Sequence, residues 1–212
     1  MAGARAMTDR LWGRASSVNV QKVMWALAEL DRPHTRIDAG GKYGRTDSAE
    51  FRAMNPNARV PVWQEESGLI LWESHAILRH LAREAGRLIP EPRGDQWMDW
   101  GGSTFYPAMI GVFWQVVRTP SSERSEEKIT RNLNALESAL EILATGLDGT
   151  EWLDGAAFSV ADIALGAGLY RYFDMDIPRN PPPAITRYYA RLTERPAYRN
   201  TVMTSYEELR AT

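Results

Sequence analysis

The chain contains no cysteine. That removes a disulfide framework, a thiolate metal site and any thiol nucleophile of its own, so sulfur chemistry has to arrive with a ligand. Histidine is scarce: only His34, His75 and His80 are present. The last two stand five residues apart on what reads as one helix, on different faces rather than at the i, i+4 spacing of a helical zinc pair, and no metal is expected. No apolar run approaches the roughly 18 residues of a membrane span, so no membrane role is expected. Neither charge is in excess. Lys+Arg of 25 against Asp+Glu of 27 gives a net charge of −2, which supplies no field for a phosphate backbone, and nucleic acid is not an expected partner. Nucleotide-binding loops and the G-x-S-x-G nucleophile elbow are missing too, which leaves nucleotide and serine-hydrolase readings without support.

What is present is an ordinary globular composition, with 44% hydrophobic and 25% charged residues over 212 positions, long enough for two compact units. The opening residues carry no apolar leader, so the chain reads as cytoplasmic, with residues 1–6 an extension and Met7 an alternative start. Arg10-Leu11-Trp12-Gly13 reads as a short strand running into the polar turn Ser16-Ser17-Val18-Asn19. A helix follows, with Val23, Met24, Leu27, Ala28 and Leu30 at threes and fours until Asp31-Arg32-Pro33 stops it. Thr35 to Asp38 reads as a second strand, Ser48 to Met54 as a short helix, and Val60 to Trp63 with Leu69 to Trp72 as a hairpin. Glu73-Ser74 then opens a helix with Ile77, Leu78 and Leu81 on its apolar face. This α/β unit ends near Ala85, and residues 86–94, broken by Pro90 and Pro92, read as a linker.

From Asp95 the pattern is helical. Trp97, Trp100, Phe105, Tyr106, Phe113 and Trp114 crowd the first stretch, and Ile129, Leu133, Leu136, Leu140 and Leu143 form a seam at alternating fours and threes. Ser159 to Tyr172 is apolar nearly all round, which marks a buried central helix, and Gly166 and Gly168 would let neighbours approach its backbone.

Four constellations bear on chemistry. The turn at Ser16-Ser17 precedes a helix N-terminus, where free amides and the dipole favour an anion and a hydroxyl can donate to a thiolate; serine and asparagine are equally the commonest caps there. Val60-Pro61 is a strand-edge junction, where a cis bond would turn the Val60 backbone outward for a ligand to pair with, and a trans edge proline is the alternative. Glu73-Ser74, at a second helix start, would hold an ammonium and a carboxylate together, or would simply cap. Ser159-Val160-Ala161-Asp162 fits a capping box and reads as structural.

In this order the pieces resemble a cytosolic glutathione transferase of bacterial type, over nearly the whole chain from about Thr8. The resemblance rests on the polar turn, on Asn55-Pro56-Asn57-Ala58-Arg59-Val60-Pro61-Val62, on Trp72 to Ala82 with its Glu73-Ser74-His75 start, and on Phe158-Ser159-Val160-Ala161-Asp162-Ile163-Ala164. It implies an α/β thioredoxin-like N-terminal domain (8–85), the 86–94 linker and an all-helical C-terminal domain (95–212). It also implies glutathione as the co-substrate that brings the missing sulfur, a role in detoxification, and a homodimer. By that resemblance Val60 beside cis-Pro61 pairs with the cysteinyl backbone, Glu73 and Ser74 hold the γ-glutamyl end, and Lys42 and Arg59 are looser partners for the glycyl carboxylate and nearby backbone. With no tyrosine in the turn, the thiolate donor is expected to be Ser17, supported by Asn19, with Ser16 as the competing hydroxyl. Ser17-x-Asn19 is similar to the Thr-x-Asn pair of nu-class enzymes, so glutathione-dependent disulfide reduction stands beside conjugation, and a non-enzymatic carrier of glutathione and apolar ligands stands beside both. The small electrophilic or apolar acceptor is expected between the domains, against Tyr106, Met109, Ile110, Phe113 and Trp114.

Overall fold

The computed structural model describes residues 8–211; the extension at 1–6 and the alternative start at Met7 lie outside them. The chain opens with β1 (Arg10–Trp12), α1 (Val18–Glu29) and β2 (Thr35–Ile37), continues through α2 (Ala49–Met54), β3 (Val62–Gln64) and β4 (Ile70–Trp72), and closes the first unit with α3 (Ser74–Ala85). The strands form one sheet in the order β2-β1-β3-β4, with β1 parallel to β2 and the other pairs antiparallel. That is the thioredoxin-like arrangement.

Alternation along β1 and β3 sets what each face buries. Leu11 sits opposite Trp63 and both join the main core under α1 and α3, whereas Trp12 sits opposite Val62 and both pack with Ala39 and Phe51 beneath α2. The order of elements follows the sequence pattern, but each strand is three residues long. Ser48 caps α2 as its position suggests, accepting the Phe51 N–H at 3.1 Å.

The second unit runs through α4 (Pro92–Trp100), a π-helical turn over Gly101–Phe105, α5 (Tyr106–Phe113), a second π-helical turn over Trp114–Arg118, α6 (Glu126–Gly146), α7 (Val160–Asp174), α8 (Pro183–Thr193) and α9 (Pro196–Thr201). One expectation needs correction. Pro92 opens α4 rather than belonging to the linker, because proline is well placed at a helix's first position, where its missing N–H has no partner to lose.

Helix α7 is the central post. Its capping box is formed: Ser159 Oγ accepts the Ala161 N–H at 3.2 Å, and Asp162 accepts the Ser159 N–H at 2.9 Å. Asp162 also takes the Leu153 N–H at 3.0 Å and the Tyr188 hydroxyl at 2.8 Å, tying the α6–α7 loop and α8 to one carboxyl. Both glycines are needed for packing: a Cβ on Gly166 would stand 2.7 Å from Leu192, and one on Gly168 2.7 Å from Phe105. Through Gly166 the post meets Trp25 of α1, whose ring lies 4.7 Å from that of Tyr198, so the two units share one continuous core. That shared core fixes α1, and with it the Ser16-Ser17 turn, against the helical unit.

Candidate functional site

Ser17 is the N-cap of α1, extended at φ −82° and ψ 122°, yet its side chain makes no capping bond. The capping reading therefore fails here. The residue is half-buried, and its hydroxyl enters no hydrogen bond among the described residues. Ser16 differs. It is buried, its Oγ donates to Glu208, and its carbonyl accepts from the guanidinium of Arg171. Of the two competing hydroxyls, the structure leaves the second one available.

Asn19 does not reach Ser17. Its Oδ1 accepts from Ser74 Oγ at 3.4 Å, so it joins the first turn of α1 to the start of α3. Glu73 is the N-cap of α3 without a side-chain cap, and holds φ +69°, a region that a non-glycine residue rarely enters. Such strain persists where the surroundings or a ligand's needs impose it. The exposed Glu73 carboxylate and the buried Ser74, at a helix start with free amides, can take an ammonium and a carboxylate side by side.

The Val60-Pro61 bond is cis. The backbone N–H and C=O of Val60 enter no backbone hydrogen bond among the described residues, which leaves a strand edge open for an extended ligand. Buried Asn55 shapes this loop by donating to the Arg59 carbonyl at 2.8 Å, while the Arg59 side chain points into solvent. Lys42 is already engaged: its Nζ is 2.6 Å from Glu208, which Lys42 and Ser16 together hold below the usual carboxylate range.

Between the two units lies a cleft of about 250 Å³, lined by Asn19, Lys22, Glu73, Ser74 and His75 on one side and Gly102, Tyr106, Pro107 and Ile110 on the other. Tyr106 and Ile110 stand where the acceptor was expected. Met109 does not: it is fully buried. Phe113 is buried against Tyr206 and Arg171, and Trp114 is half exposed with Arg118 over its ring. Aromatic density marked these five, but density alone cannot say which turn of a helix faces the cleft. Tyr106 offers no proton chemistry, since its hydroxyl donates to the Ala164 carbonyl at 2.7 Å and burial pushes its pKa up.

The sequence reading missed the floor of this cleft. Lys22 is 2% exposed, its Nζ lies 3.0 Å from His75 Nε2 and 3.5 Å from the centre of the Tyr106 ring, and among the described residues no carboxylate pairs with it. Burial holds the amine well below its ordinary pKa, with the charge of Glu73 only partly opposing. His75 is pushed down to about 2 by burial first and then by Lys22 and Arg79. A signal was available: Lys22 follows Asn19 by three, hence on the same face of α1.

The second histidine lies elsewhere. His80 Nε2 is 2.7 Å from Glu65, and Glu65, His80 and Glu84 bring three potential ligand atoms within 4.8 Å of one another. The Arg32 guanidinium bonds to both carboxylates and already supplies the positive charge there.

A family model for the glutathione S-transferase N-terminal domain matches residues 7–83, and one for the C-terminal domain matches residues 105–196. The glutathione S-transferase GstB of Escherichia coli (strain K12) is 40% identical over 201 residues, covering 91% of this chain and 97% of that protein. Glutathione S-transferase A of Pleuronectes platessa is 29% identical, covering 88% and 87%. Among solved structures, a theta class glutathione S-transferase from Xanthomonas axonopodis pv. citri with glutathione bound is similar at a TM-score of 0.89 and 41% identity, over 93% of this chain and 98% of that one.

Proposed function

The chain belongs to the glutathione S-transferase family and is a glutathione transferase; from that premise we propose how its own residues carry the reaction. Ser17 is the thiolate donor. The observation that carries this is the free hydroxyl at the N-cap of α1 beside a Ser16 whose own hydroxyl is engaged by Glu208. Donation from Ser17, together with the unpaired amides at that helix start, lowers the thiol pKa, and the thiolate attacks an electrophilic centre of the acceptor.

The Val60 backbone pairs with the cysteinyl backbone beside Pro61. Glu73 takes the γ-glutamyl ammonium, and Ser74 with the first amides of α3 takes the α-carboxylate. Asn19, bonded to Ser74, positions that serine rather than the thiol. Lys42 reaches the glycyl carboxylate once Glu208 releases it, and Arg59 adds charge from the rim. The acceptor enters the cleft against Tyr106, Pro107 and Ile110. Residues 8–85 form the glutathione-binding unit, and the helical unit from α4 onward supplies the acceptor side.

A homodimer and a cytoplasmic location complete the reading. No helix among the described residues is long and apolar enough to cross a membrane. The test of the site is the ultraviolet absorbance of the thiolate of bound glutathione, titrated across pH. Ser17→Ala should raise the apparent thiol pKa by a unit or more, and Ser16→Ala by much less.

A further inference from the structure

The floor of the cleft is a lysine that faces no anion. Lys22 is 2% exposed and lines the cleft together with Glu73 and Ser74, the two residues assigned to the γ-glutamyl end. Asn19, three residues before it and so on the same face of α1, accepts from Ser74 Oγ at 3.4 Å. The first N–H groups of α3, a helix of 12 residues, have no intrahelical partner. A carboxylate seated at Ser74 therefore shares one cavity of about 250 Å³ with free amides and a buried amine.

The groups around the amine supply no counter-charge in contact with it. From α3, His75 Nε2 lies 3.0 Å from Nζ, and burial keeps that imidazole neutral. From α5, the Tyr106 ring centre lies 3.5 Å away, and its hydroxyl, which donates to the Ala164 carbonyl of α7, keeps its proton. The charge of Glu73, exposed at the head of α3, acts on the amine, but among the described residues the two form no ion pair. On the other helices packed against α1, Arg171 of α7 is turned to the Ser16 carbonyl and Tyr198 of α9 to the Trp25 ring. A lone buried charge is costly, so an amine that faces no anion sheds its proton, and burial does hold Lys22 well below its ordinary pKa. A carboxylate brought beside it reverses the balance, because a buried pair with both partners in place is stable where a single buried charge is not.

We propose that Lys22 is a specificity-determining residue of this transferase, whose Nζ receives the α-carboxylate of the γ-glutamyl group and so selects ligands that carry that carboxylate. This rests on the glutathione reading of the cleft and adds to it a residue outside the Glu73-Ser74 pair. The ligand's carboxylate carries no proton at neutral pH, so the proton that completes the ion pair comes from solvent. Binding therefore takes up protons at any pH above the pKa of the unpaired amine and below that of the paired one.

The test is calorimetric titration of the full chain at pH 8 in phosphate and in Tris, whose different ionisation heats count the protons exchanged. S-methylglutathione is the ligand, since it has no thiol to ionise. Two S-methyl analogues bracket it: the 4-aminobutanoyl form lacks only the α-carboxylate, and the glutaryl form lacks only the α-amino group, which could itself take up a proton beside Glu73. Wild type should take up at least about half a proton with S-methylglutathione and with the glutaryl form. Lys22→Met should weaken S-methylglutathione binding at least about tenfold, change that of the 4-aminobutanoyl form less than about threefold, and abolish the uptake with the glutaryl form. In Lys22→Arg, whose guanidinium is always ionised, the glutaryl form should bind without uptake. Wild-type binding of the glutaryl form without uptake, or an equal loss of affinity for all three ligands in Lys22→Met, overturns the role of Lys22 and leaves the glutathione site in place. If wild type binds none of the three, the glutathione reading itself fails.

Discussion

The Ser16 hydroxyl donates to a carboxylate oxygen of Glu208, a residue 192 positions further along the chain. The same carboxylate pairs with Lys42, so one side chain of the helical unit closes over both a hydroxyl and a cation of the glutathione side. If Lys42 holds glutathione as proposed, the ligand displaces that carboxylate to reach it. Glu208→Gln should therefore lower the KM for glutathione severalfold. The dipeptide γ-Glu-Cys, which lacks the glycyl carboxylate, should show little change. An unchanged glutathione KM in steady-state kinetics would mean that Glu208 and the ligand do not compete.

Lys22 gives the fold a pH dependence whose sign is fixed. Its folded pKa lies below the unfolded value near 10.5, so the unfolded chain binds more protons, and stability rises with pH between the depressed value and 10.5. His75, Tyr106 and Glu73 are the titratable groups around it. Lys22→Met keeps the volume and removes this slope. In urea unfolding, wild type should gain at least about 1 kcal/mol on Lys22→Met between pH 7.5 and pH 10. A constant difference would mean that Lys22 titrates as if in water.

Glu65 acts in the opposite part of the pH scale. Burial pushes its carboxyl up, but hydrogen bonds from Trp63, His80 and Ser67 outweigh burial and hold it at about 2. A depressed carboxyl contributes stability above its unfolded value near 4.5, and that contribution is lost as pH falls from there towards 2. Glu65→Gln should cost on the order of 2 kcal/mol at pH 7 and roughly a quarter of that at pH 2.5, where the folded carboxyl is still largely ionised. A cost that stays the same at both pH values would assign the effect to packing rather than to charge.

The capping box of α7 separates folding from catalysis. Ser159→Ala should lower the unfolding free energy by about 1–2 kcal/mol, since the helix it opens is buried and its first turn loses an acceptor. Asp162→Ala should cost more, because the Leu153 N–H and the Tyr188 hydroxyl lose their partner as well. Glutathione KM should be unaffected in the Ser159 variant. A KM shift comparable with that of Glu208→Gln would place α7's N-terminus in the site.

Much of this molecule is legible in its sequence where the relevant residues are neighbours. The α1 and α7 patterns, the hairpin, the capping box, Val60-Pro61 and Glu73-Ser74 are short-range signals, and the structure shows each as an element or a junction. The contacts that gather at Ser16 are not legible, since Arg171 meets it across 155 residues and Glu208 across 192. Lys22 and His75, 53 residues apart, stayed hidden because a lysine in an apolar period reads as an interruption. The acceptor wall misled for another reason. Trp114 and Phe113 are aromatic as an apolar pocket requires, yet their faces are covered by arginines, which no periodicity reveals.

The central claim is that the free hydroxyl of Ser17 ionises the glutathione thiol. It is tested most directly by titrating the thiolate absorbance of glutathione bound to wild type, Ser17→Ala and Ser16→Ala. The account predicts a thiol pKa well below the free value in wild type and in Ser16→Ala, and a return towards the free value in Ser17→Ala. A depressed pKa that survives Ser17→Ala and disappears in Ser16→Ala would contradict it.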